Sequence, residues 1–146
     1  MPEPQNYANH ARFHPPFHFF LLPVFLLNLI VTIFILVRRW PHHLAMHAWL
    51  VVMAFALFVL AGLARGNALR VQDRIIRLEE ILRYQRLLPA DLADGAQSLG
   101  IKQIAALRFA SDAELPALVQ RTLDENLEPK AVKQSIINWR ADNLRV

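Results

Sequence analysis

Two long stretches without a charged residue dominate the first 64 residues of this chain. Residues 13–37 and 40–64 contain no Asp, Glu, Lys or Arg, and only Arg38 and Arg39 separate them. About 20 apolar residues in a helix cross the hydrocarbon core of a bilayer, since each residue adds about 1.5 Å. The pattern predicts two transmembrane helices, and it excludes a soluble globule, a disordered chain and a disulfide-stapled secreted domain.

The two stretches differ in how apolar they are. Residues 19–37 include sixteen Phe, Leu, Ile or Val residues, and they form a longer run than the apolar core of a signal peptide. Residues 45–64 are weaker, with more Ala, and we interpret them as the returning half of a hairpin. Pro41 is predicted at the first position of this second helix. The pair Pro15 and Pro16 is predicted to break any helix that joins His14 to His18.

The expected fold class is all-α: a transmembrane helical hairpin followed by a stalk helix and a small cytoplasmic helical domain. Along the chain we expect an N-terminal tail at 1–18, transmembrane helices at 19–37 and 45–64, a short loop at 38–44, a stalk at 65–86 and the helical domain at 87–146. Lys and Arg are enriched after the second span, which predicts that both termini are cytoplasmic.

The stalk is basic and amphipathic. Residues 65–86 contain six Arg against three acidic residues, a charge that anionic lipid headgroups attract. Its apolar residues, spaced 4-3-4, are Val71, Ile75, Leu78 and Leu82. Two interpretations remain open: the helix packs on the chain's own domain, or its stripe pairs with a partner helix as a short coiled coil. Glu79 and Glu80 are predicted to lie on a solvated face.

The last 60 residues predict short helices. Residues 111–114, Ser-Asp-Ala-Glu, match a capping box, and the apolar positions that follow line one face: Leu115, Leu118, Val119 and Leu123. Pro129 opens a last helix with Val132, Ile136 and Trp139 on one side. So short a segment buries little surface alone, and we expect it to pack against the stalk, another copy or a partner.

Polar residues near the spans suggest several sites. The six histidines are His10, His14, His18, His42, His43 and His47. A hairpin puts the first three and the last three at opposite membrane surfaces, so we expect interfacial histidines; a metal or haem site and a pH-sensing role are the alternatives. Asn28 lies mid-span and is expected to hydrogen-bond to another helix, with a transport site as its alternative. Gly62 and Gly66 form a weak dimerisation motif.

Sequence motifs for catalysis are absent. There is no nucleophile elbow, zinc-protease motif, P-loop or dinucleotide fingerprint, and the chain contains no Cys. We therefore expect no enzyme, no catalytic or metal-binding residues and no cofactor. The last two helices resemble a helix-turn-helix with basic and polar residues on the second, but residues 87–146 carry a net charge of −1. Nucleic-acid binding is accordingly not expected.

Four segments carry a family resemblance. Residues 5–23 (QNYANHARFHPPFHFFLLP), 72–80 (QDRIIRLEE), 107–116 (LRFASDAELP) and 137–142 (INWRAD) resemble a family of bacterial membrane proteins known as a domain of unknown function. The resemblance spans nearly the whole chain. It implies a bacterial, two-span membrane protein with a helical tail, which we expect in the cytoplasmic (inner) membrane, and it carries over no catalytic or binding residue.

The function expected from the sequence is a non-enzymatic scaffold or accessory subunit that acts through protein contacts at the membrane surface. Its expected partners are the lipid bilayer, with anionic headgroups at the stalk, and another copy or a second membrane protein. The alternative is an oligomeric small channel or a subunit of a permease-like transporter, in which Asn28 faces inward.

Overall fold

The computed structural model describes residues 5–10 and 14–142, and these residues are all-helical apart from one isolated antiparallel bridge between Ala110 and Trp139. A π-helical turn at Pro16–Leu21 leads into α1, Leu22–Arg38. The long helix α2 covers Leu44–Leu87. Four short helices follow: α3 at Ala90–Ala96, α4 at Ile101–Leu107, α5 at Leu115–Glu125 and α6 at Pro129–Ser135.

Two helical segments are long and apolar enough to cross a membrane. They are Pro16–Arg38 and Leu44–Leu87, and few residues in the most apolar window of either are buried in this structure. The second segment contains the predicted second span and the predicted stalk in one uninterrupted helix, since no Pro occurs between residues 42 and 88. The predicted all-α fold class is confirmed, with the predicted second span and stalk joined in this one long helix.

The prolines near the two apolar helical segments occupy positions that differ from the sequence predictions. Pro41 lies in the turn before α2, which begins at Leu44, so it does not occupy the first helical position. Pro15 and Pro16 open the first helical segment, and the amides of Phe17 and His18 donate to the carbonyl of His14. A helix tolerates proline in its first turn because those amides have no helical acceptor. The predicted break between His14 and His18 is therefore wrong.

The described residues form two compact units. The apolar unit comprises residues 14–69. The terminal unit comprises residues 5–10 together with 70–142, so it joins the start of the chain, the second part of α2 and the short helices. Of the three supports expected for the C-terminal segment, the structure shows the stalk, and it adds residues 5–10.

The core of the terminal unit collects apolar side chains from every one of its helices. Tyr84 of α2, Ile104 and Leu107 of α4, and Val119 of α5 are fully buried. The predicted apolar face of α5 is confirmed, because Leu115, Leu118 and Val119 are buried and Leu123 packs beside them.

The last helix is shorter than predicted. It begins at Pro129, as expected, but ends at Ser135, and Ile136 already has an extended backbone. Residues 138–140 instead pair with the segment after α4: the amide of Ser111 donates to the carbonyl of Asn138, and the amide of Arg140 donates to that of Phe109.

Candidate functional site

A buried arginine organises the charged side chains of the terminal unit. Arg83 lies on the face of α2 that packs into this unit, and its side chain is 4% exposed. Its guanidinium donates to Asp112 Oδ1 from Nε (2.9 Å), to the carbonyl of Ala110 from Nη2 (2.8 Å) and to Glu80 Oε2 from Nη1 (3.2 Å). All three nitrogens of the guanidinium therefore have an acceptor, which compensates for its removal from water.

Two further arginines extend this cluster toward the extended segment after α6. Arg140 Nη1 donates to Glu80 Oε1 at 3.4 Å, and Arg108 Nε donates to Asp142 Oδ2 at 2.9 Å. The guanidinium carbon of Arg108 also lies 4.3 Å from the ring centre of Phe109, a cation–π contact. We call Glu80, Arg83, Arg108, Asp112, Arg140 and Asp142 the arginine–carboxylate cluster.

The cluster borders an open cleft of about 520 Å³. Its lining residues are Glu79, Glu80, Arg83, Arg86, Arg108, Arg140, Ala141 and Asp142. Glu80 is the most deeply buried carboxylate here, and a carboxylate of this kind in a cleft is a common general acid or base. Both oxygens of Glu80, however, accept a hydrogen bond from an arginine. This arrangement fixes charges within the fold rather than presenting a reactive carboxyl group.

The pKa values of the two carboxylates bound to Arg83 are shifted in opposite directions. Burial raises the pKa of Glu80 above its ordinary value of 4.5, although the neighbouring Arg83 opposes the shift. The hydrogen bond from Arg83 lowers the pKa of the exposed Asp112 below its ordinary 3.8. The prediction that Glu80 lies on a solvated face is wrong, while Glu79 is exposed as predicted.

The predicted capping box at residues 111–114 does not form. Glu114 Oε1 accepts hydrogen bonds from the backbone amide (3.0 Å) and the side-chain amide (2.9 Å) of Asn138 instead of reaching back to Ser111. Ser111 contributes its backbone carbonyl to the amides of Glu114 and Leu115. Hydrogen bonds to the extended segment after α6 therefore replace the local capping box, because the backbone and side-chain amides of Asn138 both donate to Glu114.

Residues 5–10 are held on the same part of the terminal unit. The ring of His10 lies 5.7 Å from that of Trp139 and 6.0 Å from that of Phe109. Lys133 Nζ lies 3.1 Å from His10 Nε2, and the amide of Asp142 donates to Gln5 Oε1 at 2.8 Å. His10 is therefore part of the terminal unit, whereas the sequence interpretation grouped it with His14 and His18 at a membrane surface.

The apolar stripe of the stalk remains uncovered. Val71, Ile75, Leu78 and Leu82 are 55%, 50%, 60% and 57% exposed. The opposite side of α2 is the one that packs, through Ile76, Glu80, Arg83 and Tyr84. The helix therefore packs on the chain's own domain, as one interpretation expected, but through this opposite side and not through the apolar stripe, for which the coiled-coil interpretation stays open. We call these four residues the exposed face of α2.

The other polar residues singled out in the sequence have few partners. The Asn28 side chain is exposed, and its expected hydrogen bond to another helix does not occur among the described residues. His43 and His47 have ring centres 6.4 Å apart, and His47 Nδ1 lies 3.1 Å from the carbonyl of His42. A Cβ atom added at Gly62 or Gly66 would meet nothing within 4 Å. Within residues 5–10 and 14–142, no three His, Asp or Glu side chains are grouped to hold a metal ion.

Several basic and polar residues of the helix-turn-helix resemblance form contacts inside the fold. Arg140 binds Glu80, Lys133 contacts His10 and Asn138 binds Glu114, whereas Lys130 and Gln134 are exposed. The arginine–carboxylate cluster itself was missed from sequence. The one available signal was that Glu80 and Arg83 share the helix face of Ile76 and Tyr84, opposite the apolar stripe.

Comparison with known proteins gives one match. No curated protein and no solved structure matches this chain. The model of a family of unknown function, DUF6526, matches residues 1–146. Because this match covers the whole sequence, the chain belongs to the DUF6526 family of unknown function.

Proposed function

We propose that this protein is a two-span protein of the bacterial cytoplasmic membrane and serves as a non-enzymatic scaffold or accessory subunit. The observation that carries the proposal is the exposed face of α2. Four large apolar side chains are left in contact with solvent on a helix whose other side is packed, and such patches mark contact sites for other molecules. The terminal unit would then hold α2 rigid while a partner covers this face.

Membrane insertion is supported by the apolar unit. Its helices expose large aliphatic and aromatic side chains along their length, which water disfavours and lipid tails accept. The guanidinium of Arg65 lies 6.0 Å from the ring centre of Phe17, so the beginning of the first segment lies beside a residue late in the second. That contact supports a hairpin. Arg65 and Arg70 would lie where anionic headgroups attract them.

A same-side arrangement of the two chain ends is supported by the terminal unit. The packing of residues 5–10 on Phe109 and Trp139 favours a topology in which the segments before the first span and after the second lie on one side of the membrane. Two crossings give such a topology, and the excess of Arg after the second span favours the cytoplasmic side.

The proposal is tested by the size of the native complex. The wild-type chain, solubilised from its own membranes in mild detergent, should migrate on native gels as a species larger than a monomer. Leu78→Glu should release the monomer, since a charge cannot be buried in an apolar contact without a partner. Ile137→Glu, at an 83% exposed position outside this face, is the matched control and should leave the complex intact. A wild-type monomer, or a protein that stays in the supernatant of a detergent-free lysate, would contradict the proposal.

The second candidate is an oligomeric channel or transporter subunit, and the exposed side chain of Asn28 favours it. A polar amide in lipid needs a partner, which other copies would supply, and such a residue can line a pore. Liposomes that contain only this protein separate the two functions. Ion conductance that changes with Asn28→Leu would support transport, and the absence of conductance would support the scaffold.

A further inference from the structure

We infer that the exposed face of α2 pairs with the same face of a second copy of this chain, with the two helices parallel and in register. The inference rests on the proposed membrane-anchored scaffold and names its partner. It accounts for the four exposed side chains and for two charged residues beside them.

The spacing of the exposed face is that of a coiled-coil seam. Val71 and Leu78 take the d positions and Ile75 and Leu82 take the a positions of a heptad repeat. A β-branched residue at a with Leu at d favours two strands, and Ile75 with Leu78 meets this condition. Lipid tails are a poor occupant, because Arg70, Asp73 and Arg74 are interspersed with the apolar positions.

The charges beside the seam identify the orientation. Arg74 takes the g position and Glu79 the e position of the following heptad, five residues later. In a parallel two-stranded coiled coil, g of one helix meets that e of the other, so each pair of copies gains two Arg74–Glu79 contacts. Both side chains are exposed, and neither forms an ion pair within residues 5–10 and 14–142.

Membrane anchoring supplies what a short seam lacks. Four apolar positions cover less than the three to four heptads that a free coiled coil needs. Two copies inserted in one bilayer with the same topology already hold their α2 helices parallel, and confinement raises their effective concentration. Antiparallel pairing would require the copies to insert in opposite orientations.

Single-cysteine crosslinking of the full chain tests this inference, since the natural sequence contains no Cys. In a parallel, in-register pair each seam residue meets its own counterpart, within the separation that a disulfide needs. Ile75→Cys and Leu78→Cys should each form a disulfide-linked dimer on oxidation in native membranes. Asp73→Cys, exposed on the same helix but outside the seam, is the matched control and should remain monomeric.

Charge exchange tests the register independently. In the Leu78→Cys background, Arg74→Glu places two like-charged contacts in each pair, and the crosslinked fraction should fall by roughly fivefold. Glu79→Arg alone should have the same effect. The double change Arg74→Glu with Glu79→Arg restores opposite charges and should restore the crosslink. Recovery in the double variant excludes simple misfolding as the cause of the loss.

The outcomes separate this inference from the proposed function. Crosslinking at 75 and 78 with rescue by charge exchange supports the parallel pair. A Leu78→Cys chain that joins a different protein, or whose thiol is shielded by lipid from a water-soluble maleimide, overturns the inference. The first of these results leaves the scaffold proposal standing. Equal crosslinking at positions 73, 75 and 78 also overturns the inference of a parallel pair, because random collision would then explain the dimer.

Discussion

At the scale of single residues, Arg83 makes the most hydrogen bonds within the arginine–carboxylate cluster. It connects α2 to Asp112 and to the backbone at Ala110, and it neutralises the buried Glu80. Burial of an ion pair costs solvation energy, whereas removal of one member leaves the other buried without compensation. The cluster therefore matters more for the geometry of the fold than for its net stability.

Replacement of Arg83 by Met should strongly destabilise the terminal unit. We expect its free energy of unfolding to fall by ~3–5 kcal/mol, because Glu80 keeps only its distant contact with Arg140. Urea titration in detergent micelles measures this through the fluorescence of Trp139, with Trp40 and Trp49 changed to Phe. Arg121→Met removes the exposed pair with Glu125 and should leave stability unchanged. Equal effects of the two substitutions would contradict the role of Arg83.

Replacement of Glu80 by Gln should change how stability depends on pH. The folded-state pKa of Glu80 is raised, so its contribution to stability is fully present below the ordinary value of 4.5 and is lost as pH rises through the folded value. The wild type should therefore lose stability relative to Glu80→Gln as pH rises from about 4.5. Asp112 has the opposite sign but is common to both proteins. Parallel pH curves for the two proteins would contradict the shift.

Removal of the buried Tyr84 hydroxyl should not destabilise the terminal unit. Its side chain is fully buried, and its hydroxyl has no hydrogen-bond partner in the part of the chain that the structure describes. Tyr84→Phe removes this unsatisfied group and should leave the free energy of unfolding unchanged or raise it by up to ~1 kcal/mol. Tyr84→Ala, which also empties the ring's volume, should lower it by ~3–5 kcal/mol. Similar losses for Phe and Ala would show that the hydroxyl is needed.

At the scale of elements, sequence periodicity predicted helices well and their partners poorly. The face of α5 was predicted because Leu115, Leu118 and Val119 recur at helical spacing and pack locally. The hydrogen bond between Glu114 and Asn138 was not predicted, because the two residues are 24 positions apart and no local sequence pattern indicates such a contact. The arginine–carboxylate cluster could not be predicted for the same reason. Arg83 binds Asp112, which is 29 residues away, and such tertiary contacts override local sequence signals.

The packed face of α5 can be tested against an exposed position. Val119→Ala should lower the free energy of unfolding of the terminal unit by ~1–3 kcal/mol, since the side chain is fully buried in the core. Ile137→Ala removes more carbon but from an 83% exposed side chain, and its effect should stay within ~0.5 kcal/mol. The same urea titration measures both. A larger loss for Ile137→Ala would place this residue in a contact that the structure lacks.

At the scale of the whole molecule, the proposed topology is open to direct labelling. Ala8→Cys and Ala113→Cys lie in the terminal unit, and His42→Cys lies between the two apolar segments; all three positions are exposed. In sealed vesicles of known orientation, an impermeant maleimide should label the first two from one side and the third from the other. Labelling of Ala8→Cys and His42→Cys from the same side would exclude the hairpin.

The contact between Gln5 and Asp142 joins residues 137 positions apart. During synthesis, residues 5–10 leave the ribosome well before the aromatic pair Phe109 and Trp139 exists to receive them. In the proposed topology, the early segment stays at the membrane surface until both apolar stretches have been inserted into the bilayer. A bulky fusion that drags this segment through the bilayer would leave the rings of Phe109 and Trp139 uncovered, and such a product would be a ready target for proteolysis.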